Sequence, residues 1–453
     1  MRPDIMNYLK MVSILRFSLL ALGLCAFAAN AQVVKTELKL HNGQWTFFRD
    51  GEPYFVKGAG GQTYIDELLE CGGNSIRTWS LDDAEEFLDL AHENGLTVMM
   101  GLWVGHERHG FDYNDEASVK MQYERFKAAI PKIKDHPALL CWGVGNECDL
   151  FYSNTKVWYA IEDIAKMIKE IDGNHPITTV TAGLDSMEVQ LIKERCPSLD
   201  FYGINTYGEI GGVPENLLKY GWDGPFMITE WGPTGHWEVA KTKWGAPYEQ
   251  TSKEKADIYE HRYKSYILDY RDRCVGSYVF LWGQKQETTS TWYGLFTADG
   301  DWTSTLDNLQ IMWSGESPDN LAPILTSYTI EGADKGAKDI ILKAGNRYSA
   351  NVEVQDPEGG KLKYKWQIIP ESTDIKVGGD KESAPPPILG LYSKKNGGSL
   401  TFETPSKEGA YRLFVTVYDV GGKVAYANYP FFVKPNDGAS NKPVQVKKQK
   451  LEL

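Results

Sequence analysis

The sequence predicts an α/β protein, a (β/α)8 TIM barrel followed by a C-terminal immunoglobulin-like β-sandwich, and three observations predict it. From Tyr54 onward, short apolar runs alternate with helical periodicity eight times over, the pattern of parallel strands buried on both faces. Two of those runs end on glutamates, in Trp142-Gly143-Val144-Gly145-Asn146-Glu147 and Ile228-Thr229-Glu230-Trp231-Gly232. The C-terminal ends of barrel strands are where catalytic groups gather. Beyond residue 320 the pattern changes to strict alternation with turn residues and no helix of useful length.

The chain opens on Arg2, Lys10 and Arg16, an apolar stretch from Phe17 to Ala28, and Ala29-Asn30-Ala31 before Gln32. This is the layout of a secretion signal over residues 1–31, too short to span a bilayer. A mature chain with no membrane span is expected, exported to the periplasm, cell surface or medium of a bacterium. Cys25 leaves with that segment, and Cys71, Cys141, Cys148, Cys196 and Cys274 remain. An odd number without CxxC spacing argues against a disulfide framework or a zinc site.

A hairpin turning at Asp50-Gly51 is expected to plug the barrel's N-terminal end. The strands then follow at Tyr54–Gly58, Asn74–Trp79, Leu96–Trp103, Leu139–Gly145, Ile177–Thr181, Phe201–Asn205, Phe226–Thr229 and Ser277–Trp282. The barrel domain is assigned to residues 32–318, with Ser317-Pro318-Asp319-Asn320 as linker. The sandwich takes residues 322–434, with strands at Tyr348–Val354, Leu362–Ile368 and Tyr411–Asp419, and a lysine-containing tail at 435–453 is expected to be disordered.

Of the 453 residues, 42% are hydrophobic and 24% charged, and the net charge is −13. That charge argues against nucleic acid or an anionic membrane as partner and leaves a neutral polysaccharide open. The 14 Trp and 25 Tyr suit a sugar-binding surface, since flat rings stack on the apolar faces of sugars. Glu147 and Glu230 lie 83 positions apart, the length of three βα units, which places them at the ends of the fourth and seventh barrel strands. Two carboxylates facing across a cleft can hydrolyse a glycosidic bond. Either glutamate alone could be structural; their joint placement, with Arg77 ending the second strand and Tyr207 following the sixth, favours catalysis.

These residues resemble the retaining glycoside hydrolases of clan A. The resemblance implies Glu147 as acid/base, Glu230 as nucleophile and Asn146 as the contact to the sugar 2-hydroxyl. It further implies Arg77 holding the nucleophile ionised, Tyr207 donating a hydrogen bond to it, and Trp282 flooring the subsite at the cleavage point. Within the clan, a barrel followed by an immunoglobulin-like domain looks most like glycoside hydrolase family 158, whose members are endo-β-1,3-glucanases. Parts of the Phe55-Val56-Lys57-Gly58-Ala59-Gly60 opening also resemble family 2 barrels and fungal β-1,3-glucanosyltransferases. The jelly-roll domain of family 2 β-galactosidases and mannosidases is not seen before the barrel, which disfavours a typical exo-acting enzyme of that family.

The expected enzyme is therefore an endo-glycosidase on laminarin-type β-1,3-glucan, acting as a monomer and without metal or cofactor. The alternatives are a transglycosylase on the same glucan, a β-mannanase or β-galactosidase of the clan, or a non-catalytic glycan-binding protein. Long loops add His106, Trp237 and Trp292 as substrate-binding or supporting residues. The His106–His109 pair lacks a third ligand, and Cys148, beside Glu147, lacks a histidine partner in a recognisable motif. In the sandwich, Trp366 is assigned to the core and Asp356-Pro357-Glu358-Gly359 to a turn.

Overall fold

The computed structural model describes residues 33–331, 339–392 and 397–436. The expected signal segment and all but the first two residues of the expected tail lie outside them. β1 (Thr36–His41), β2 (Gln44–Arg49) and β3 (Glu52–Tyr54) form an antiparallel sheet. Asp50 and Gly51, both at positive φ, turn β2 into β3, as two-residue hairpins of this handedness require. The fully buried Phe47 packs with Val56, Phe201 and Met227 near the strand starts and with Tyr278, so the sheet closes the barrel's N-terminal end.

Eight parallel strands then close on themselves: β4 (Val56–Gly60), β5 (Ser75–Arg77), β6 (Thr97–Leu102), β7 (Leu139–Val144), β8 (Ile177–Ala182), β9 (Phe201–Asn205), β10 (Phe226–Trp231) and β11 (Cys274–Val279). Closure is through β11 and β4, where Gly276 faces Val56. Helices cover the outside; that over Val157–Ile171 buries Trp158, Ile161, Ile164, Ala165 and Ile168 along one stripe. The eighth strand ends three residues earlier than its apolar run suggests. Gly276 reads as a strand breaker in sequence but sits within the strand, while Phe280-Leu281-Trp282 is apolar because it packs in the loop that follows.

The barrel's last helix, Ser304–Ser314, leads to seven strands in two sheets. β12 (Ile324–Ile330), β14 (Arg347–Gln355) and β16 (Ser399–Glu403) form one; β13 (Ile340–Lys343), β18 (Val424–Lys434), β17 (Gly409–Tyr418) and β15 (Lys363–Pro370) form the other. Their inner faces bury Tyr328, Val352, Trp366, Phe402, Leu413, Val415 and Phe431 in one core. Asp356 Oδ1 accepts the Glu358 N–H at 3.0 Å, a plain turn.

The sandwich is fastened to the barrel by buried polar contacts. Glu249 accepts hydrogen bonds from Lys255 Nζ (2.6 Å), Thr289 Oγ1 (2.6 Å), Thr291 Oγ1 (2.8 Å) and Asn428 Nδ2 of β18 (2.7 Å). Arg412 of β17 donates to the Pro247 carbonyl at 2.9 Å and pairs with Glu371 at 3.0 Å. Lys423 pairs with Asp307 at 2.5 Å. No helix among the described residues is long and apolar enough to cross a membrane.

Candidate active site

The ends of β5, β7, β9 and β10 converge on one hydrogen-bonded cluster. Arg77, the last residue of β5, is buried beneath the barrel mouth. Its Nη1 donates to Glu230 Oε1 (3.0 Å), the Thr229 carbonyl (2.7 Å) and Asn205 Oδ1 (3.1 Å), and its Nη2 donates to Asn146 Oδ1 (2.6 Å). Trp79 Nε1 adds a second bond to Glu230 Oε1 at 2.8 Å, and Tyr207 O–H donates to Oε2 at 3.2 Å. Glu230 thus receives charged and neutral donors from three sides. Burial and the Glu230 charge push the Tyr207 phenol well above its ordinary range, so it stays a donor.

Glu147 lies just past β7, where the chain turns sharply. Gly145 and Glu147 both take positive φ, 81° and 50°, a cost for a side-chain-bearing residue. The Glu147 N–H is held by the Val180 carbonyl at 2.8 Å. Its Oε1 accepts from Asn205 Nδ2 at 2.8 Å. Burial, with the Glu230 charge second, raises its pKa from 4.5 to about 8. Glu147 is thus biased to keep its proton near neutral pH beside a Glu230 surrounded by donors, an arrangement suited to acid–base chemistry.

Asn205, at the end of β9, ties the halves together. Its Nδ2 also donates to Asn146 Oδ1 at 3.0 Å, and its Oδ1 accepts from Thr229 Oγ1 at 2.9 Å. With Asn146 Oδ1 turned toward Arg77 and Asn205, its amide N–H groups are left to donate into the cleft. His106 is buried outside the cleft, its Nε2 2.5 Å from the Asn146 carbonyl oxygen. It supports Asn146 rather than facing a substrate.

The cluster floors a cavity of about 740 Å³ lined by Asn146, Glu147, Asn205, Tyr207, Glu230 and Phe280, with Trp79, Trp103, Phe151 and Trp237 around them. Trp237 borders it from the loop after β10 and meets Tyr207 edge-on at 5.7 Å. Two expectations fail here. Trp282 does not floor the site: it is buried behind it, stacked on Trp313 at 6.3 Å with Nε1 on the Tyr64 carbonyl. The early end of β11 places Phe280 on the cavity instead. Trp292 is also buried, its Nε1 bonded to the Thr234 carbonyl at 3.0 Å, so it braces the loop carrying Trp237. Sequence reasoning missed Trp79 and Asn205. Trp79 sits two positions after Arg77, and Asn205 ends an apolar run as Glu147 and Glu230 do, which is the signal that was there to use.

Among the described residues no cluster of three or more His, Cys, Asp or Glu side chains is arranged to hold a metal ion. His109 bonds Asp380 instead of joining His106 in a chelate. The five described cysteines are free and buried, and burial raises the Cys148 thiol far above neutrality, away from nucleophilic use.

Residues 64–314 match the model of the glycosyl hydrolases family 2, TIM barrel domain. The chain belongs to glycosyl hydrolase family 2. The clan A expectation therefore stands, as does the partial likeness of the barrel's opening to family 2; the β-1,3-glucan specificity expected from family 158 remains a matter for proposal. A β-glucuronidase of Paenibacillus borealis is 23% identical over 320 residues, 61% of this family 2 chain and 52% of the relative, so the chain spans about half that relative's length. Among solved structures, the β-D-glucuronidase of Dictyoglomus thermophilum is 19% identical (TM-score 0.48) and covers 63% of this chain and 54% of its own. Bacteroides uniformis β-glucuronidase 2, bound covalently to a cyclophellitol-6-carboxylate aziridine, is 16% identical (TM-score 0.48), covering 88% and 48%.

Proposed function

We propose that this protein is an exported, retaining endo-glycosidase that hydrolyses a neutral β-glucan, β-1,3-linked as in laminarin. The observation that carries the reading is the Glu147–Asn205–Arg77–Glu230 chain of hydrogen bonds. It holds an acid and an anion close together beneath an aromatic-lined cleft. Glu230 Oε2, bonded to Tyr207, attacks the anomeric carbon as Glu147 gives its proton to the departing glycosidic oxygen. Glu147, now a carboxylate, takes a proton from water, whose oxygen displaces Glu230 and restores both carboxyls. Asn146 holds the 2-hydroxyl through the transition state. The β-1,3 linkage rests on the likeness of this barrel-plus-sandwich order to family 158.

The named relatives favour a β-glucuronide as the second reading. A uronate carboxylate calls for a cation beside the sugar. The cations lining this cavity are Lys285 and Lys376, and both are already paired, with Glu287 at 2.8 Å and Asp374 at 2.7 Å. Product analysis separates the readings: laminarin, mixed-linkage glucan, cellulose, mannan and 4-nitrophenyl β-glucuronide are incubated with wild type and Glu230→Ala. Laminari-oligosaccharides of several lengths, absent with the variant, are expected. Products longer than the starting oligosaccharides would indicate transglycosylation, and release of nitrophenol from the glucuronide alone would overturn the neutral-glucan reading.

A further inference from the structure

The sandwich reaches back into the cleft. Between β15 and β16, a strap over 371–392 leaves the sandwich and crosses to the barrel mouth, where Lys376, Val377, Gly378, Gly379 and Asp380 line the same cavity as Glu147 and Glu230. Its fastenings come from two separate barrel loops, after β6 and after β11. On the β6 side, Arg108 Nη1 pairs with Asp380 at 2.9 Å and Nη2 donates to the Gly378 carbonyl at 3.3 Å. On the β11 side, Lys285 Nζ donates to the Gly379 carbonyl at 2.9 Å. Glu382 takes the backbone N–H groups of Thr288 at 2.6 Å and Lys376 at 2.9 Å, joining strap and barrel loop through one carboxylate.

The fit is tight. Gly378 has a φ of +60°, and a Cβ there would lie 2.7 Å from Leu150 Cδ2 and 2.8 Å from Arg108 Nη2. Leu150 lies three residues after Glu147. The strap therefore seats against the very loop that carries the acid, on a domain held by the buried Glu249, Arg412 and Asp307 contacts.

Apolar side chains stay in water beside it. Val377 is 52% exposed, Phe151 69% and Trp103 37%, and all three line the cavity. Exposed apolar groups gathered in a cleft mark a binding surface. The buried Arg77 cluster supplies what the sugar at the cleavage point needs; these groups lie beyond it.

We propose that the strap forms, with Trp103 and Phe151, a subsite for sugar units of the glucan chain away from the scissile bond. The sandwich is thereby part of the substrate-binding cleft and not a spacer. This rests on the glycanase reading above, with Arg108 and Glu382 as positioning residues and Lys376 and Val377 facing the chain.

The test compares kcat/KM on the long polymer with kcat/KM on the shortest oligosaccharide cleaved, using the full chain. Arg108→Ala and Glu382→Ala each free one side of the strap and are expected to lower the polymer-to-oligosaccharide ratio about tenfold, mainly through KM on the polymer. Lys376→Ala, at a half-exposed side chain that packing does not need, is expected to lower it about threefold and serves if the other two fail to fold. An unchanged ratio in the folded variants, whether both rates fall together or neither moves, overturns the proposal. If the wild type cleaves a different polymer, the substrate reading fails, and the same ratio measured on that polymer still decides the strap's role.

Discussion

Replacing Glu147 by Gln should make the protein more stable, and more so as the pH rises. The carboxyl has a folded pKa of about 8 against an ordinary 4.5. Below pH 4.5 both the folded and unfolded chains hold the proton, so no penalty exists. Between the two values the unfolded chain releases it while the folded one retains it, and stability falls with pH. Above pH 8 the folded state carries the charge, and the loss is complete. At about 1.4 kcal/mol per unit of pKa, a rise of this size corresponds to about 5 kcal/mol. Glu147 opens onto the cleft and is not fully enclosed, so solvent screening reduces this to about 2 kcal/mol.

Gln keeps the shape and still accepts the Asn205 amide proton, so what changes is the ability to ionise. Urea unfolding of wild type and Glu147→Gln at pH 5, 7 and 9 is the assay. The variant is expected to lead the wild type by less than about 1 kcal/mol at pH 5, by more at pH 7, and by about 2 kcal/mol at pH 9. A gap of the same size at every pH would refute the reasoning, because it would trace to packing and not to a strained charge. Such a gain at the expense of activity is expected wherever a site holds a group against its preferred ionisation.

Asn205→Ala removes the bond that favours the ionised form of Glu147; the Glu147 pKa should rise, moving the basic limb of the pH–rate profile upward while kcat falls about tenfold through lost positioning. Trp79→Phe deletes the indole N–H on Glu230 Oε1 and should cost about 1.5–3 kcal/mol of transition-state stabilisation, read as a drop of roughly ten- to a hundredfold in kcat. Glu249→Ala leaves Lys255 buried without its carboxylate and should destabilise the protein by about 3–5 kcal/mol in urea unfolding.

The barrel was legible because its strands are buried on both faces and so read as apolar runs, each ended by the residue that faces the mouth. The same rule located Arg77, Glu147 and Glu230 where the structure brings them together. It erred where burial has a second cause. Phe280-Leu281-Trp282 is apolar because a loop packs there, and this moved the expected site tryptophan to a residue that lies behind the cavity. Trp292 misled for a related reason: a loop aromatic in sequence can brace a turn as readily as it can meet a sugar, and only its Nε1 bond to Thr234 decides. The strap was out of reach altogether. Its residues, Lys376 to Asp380, join the cleft through contacts to Arg108 and Lys285, some 270 and 90 positions away, and no local pattern records a pairing of that range.

On the neutral-glucan reading, charge would separate a glucan from a glucuronide in this cleft. Six acidic side chains line the cavity: Glu147, Glu209, Glu230, Glu238, Glu287 and Asp380. Four of them are paired or tied down: Glu230 by Arg77, Glu287 by Lys285, Asp380 by Arg108, and Glu238 by the backbone N–H groups of Gly208 and Gly235. Arg77 is spent on Glu230, Asn146 and Asn205. A uronate entering this cleft would find both cavity lysines already paired, with Glu287 and Asp374, and would have to draw one of them away. A neutral glucose ring would need no such exchange and would meet Trp237, Phe280 and Tyr207, which line the cavity. 4-Nitrophenyl β-glucuronide should therefore be turned over more slowly than the matching β-glucoside, a difference that shrinks at low pH as the uronate is protonated. Equal rates on the two at pH 7 would mean that Lys285 or Lys376 exchanges its carboxylate partner for the substrate, and the neutral-glucan reading would give way.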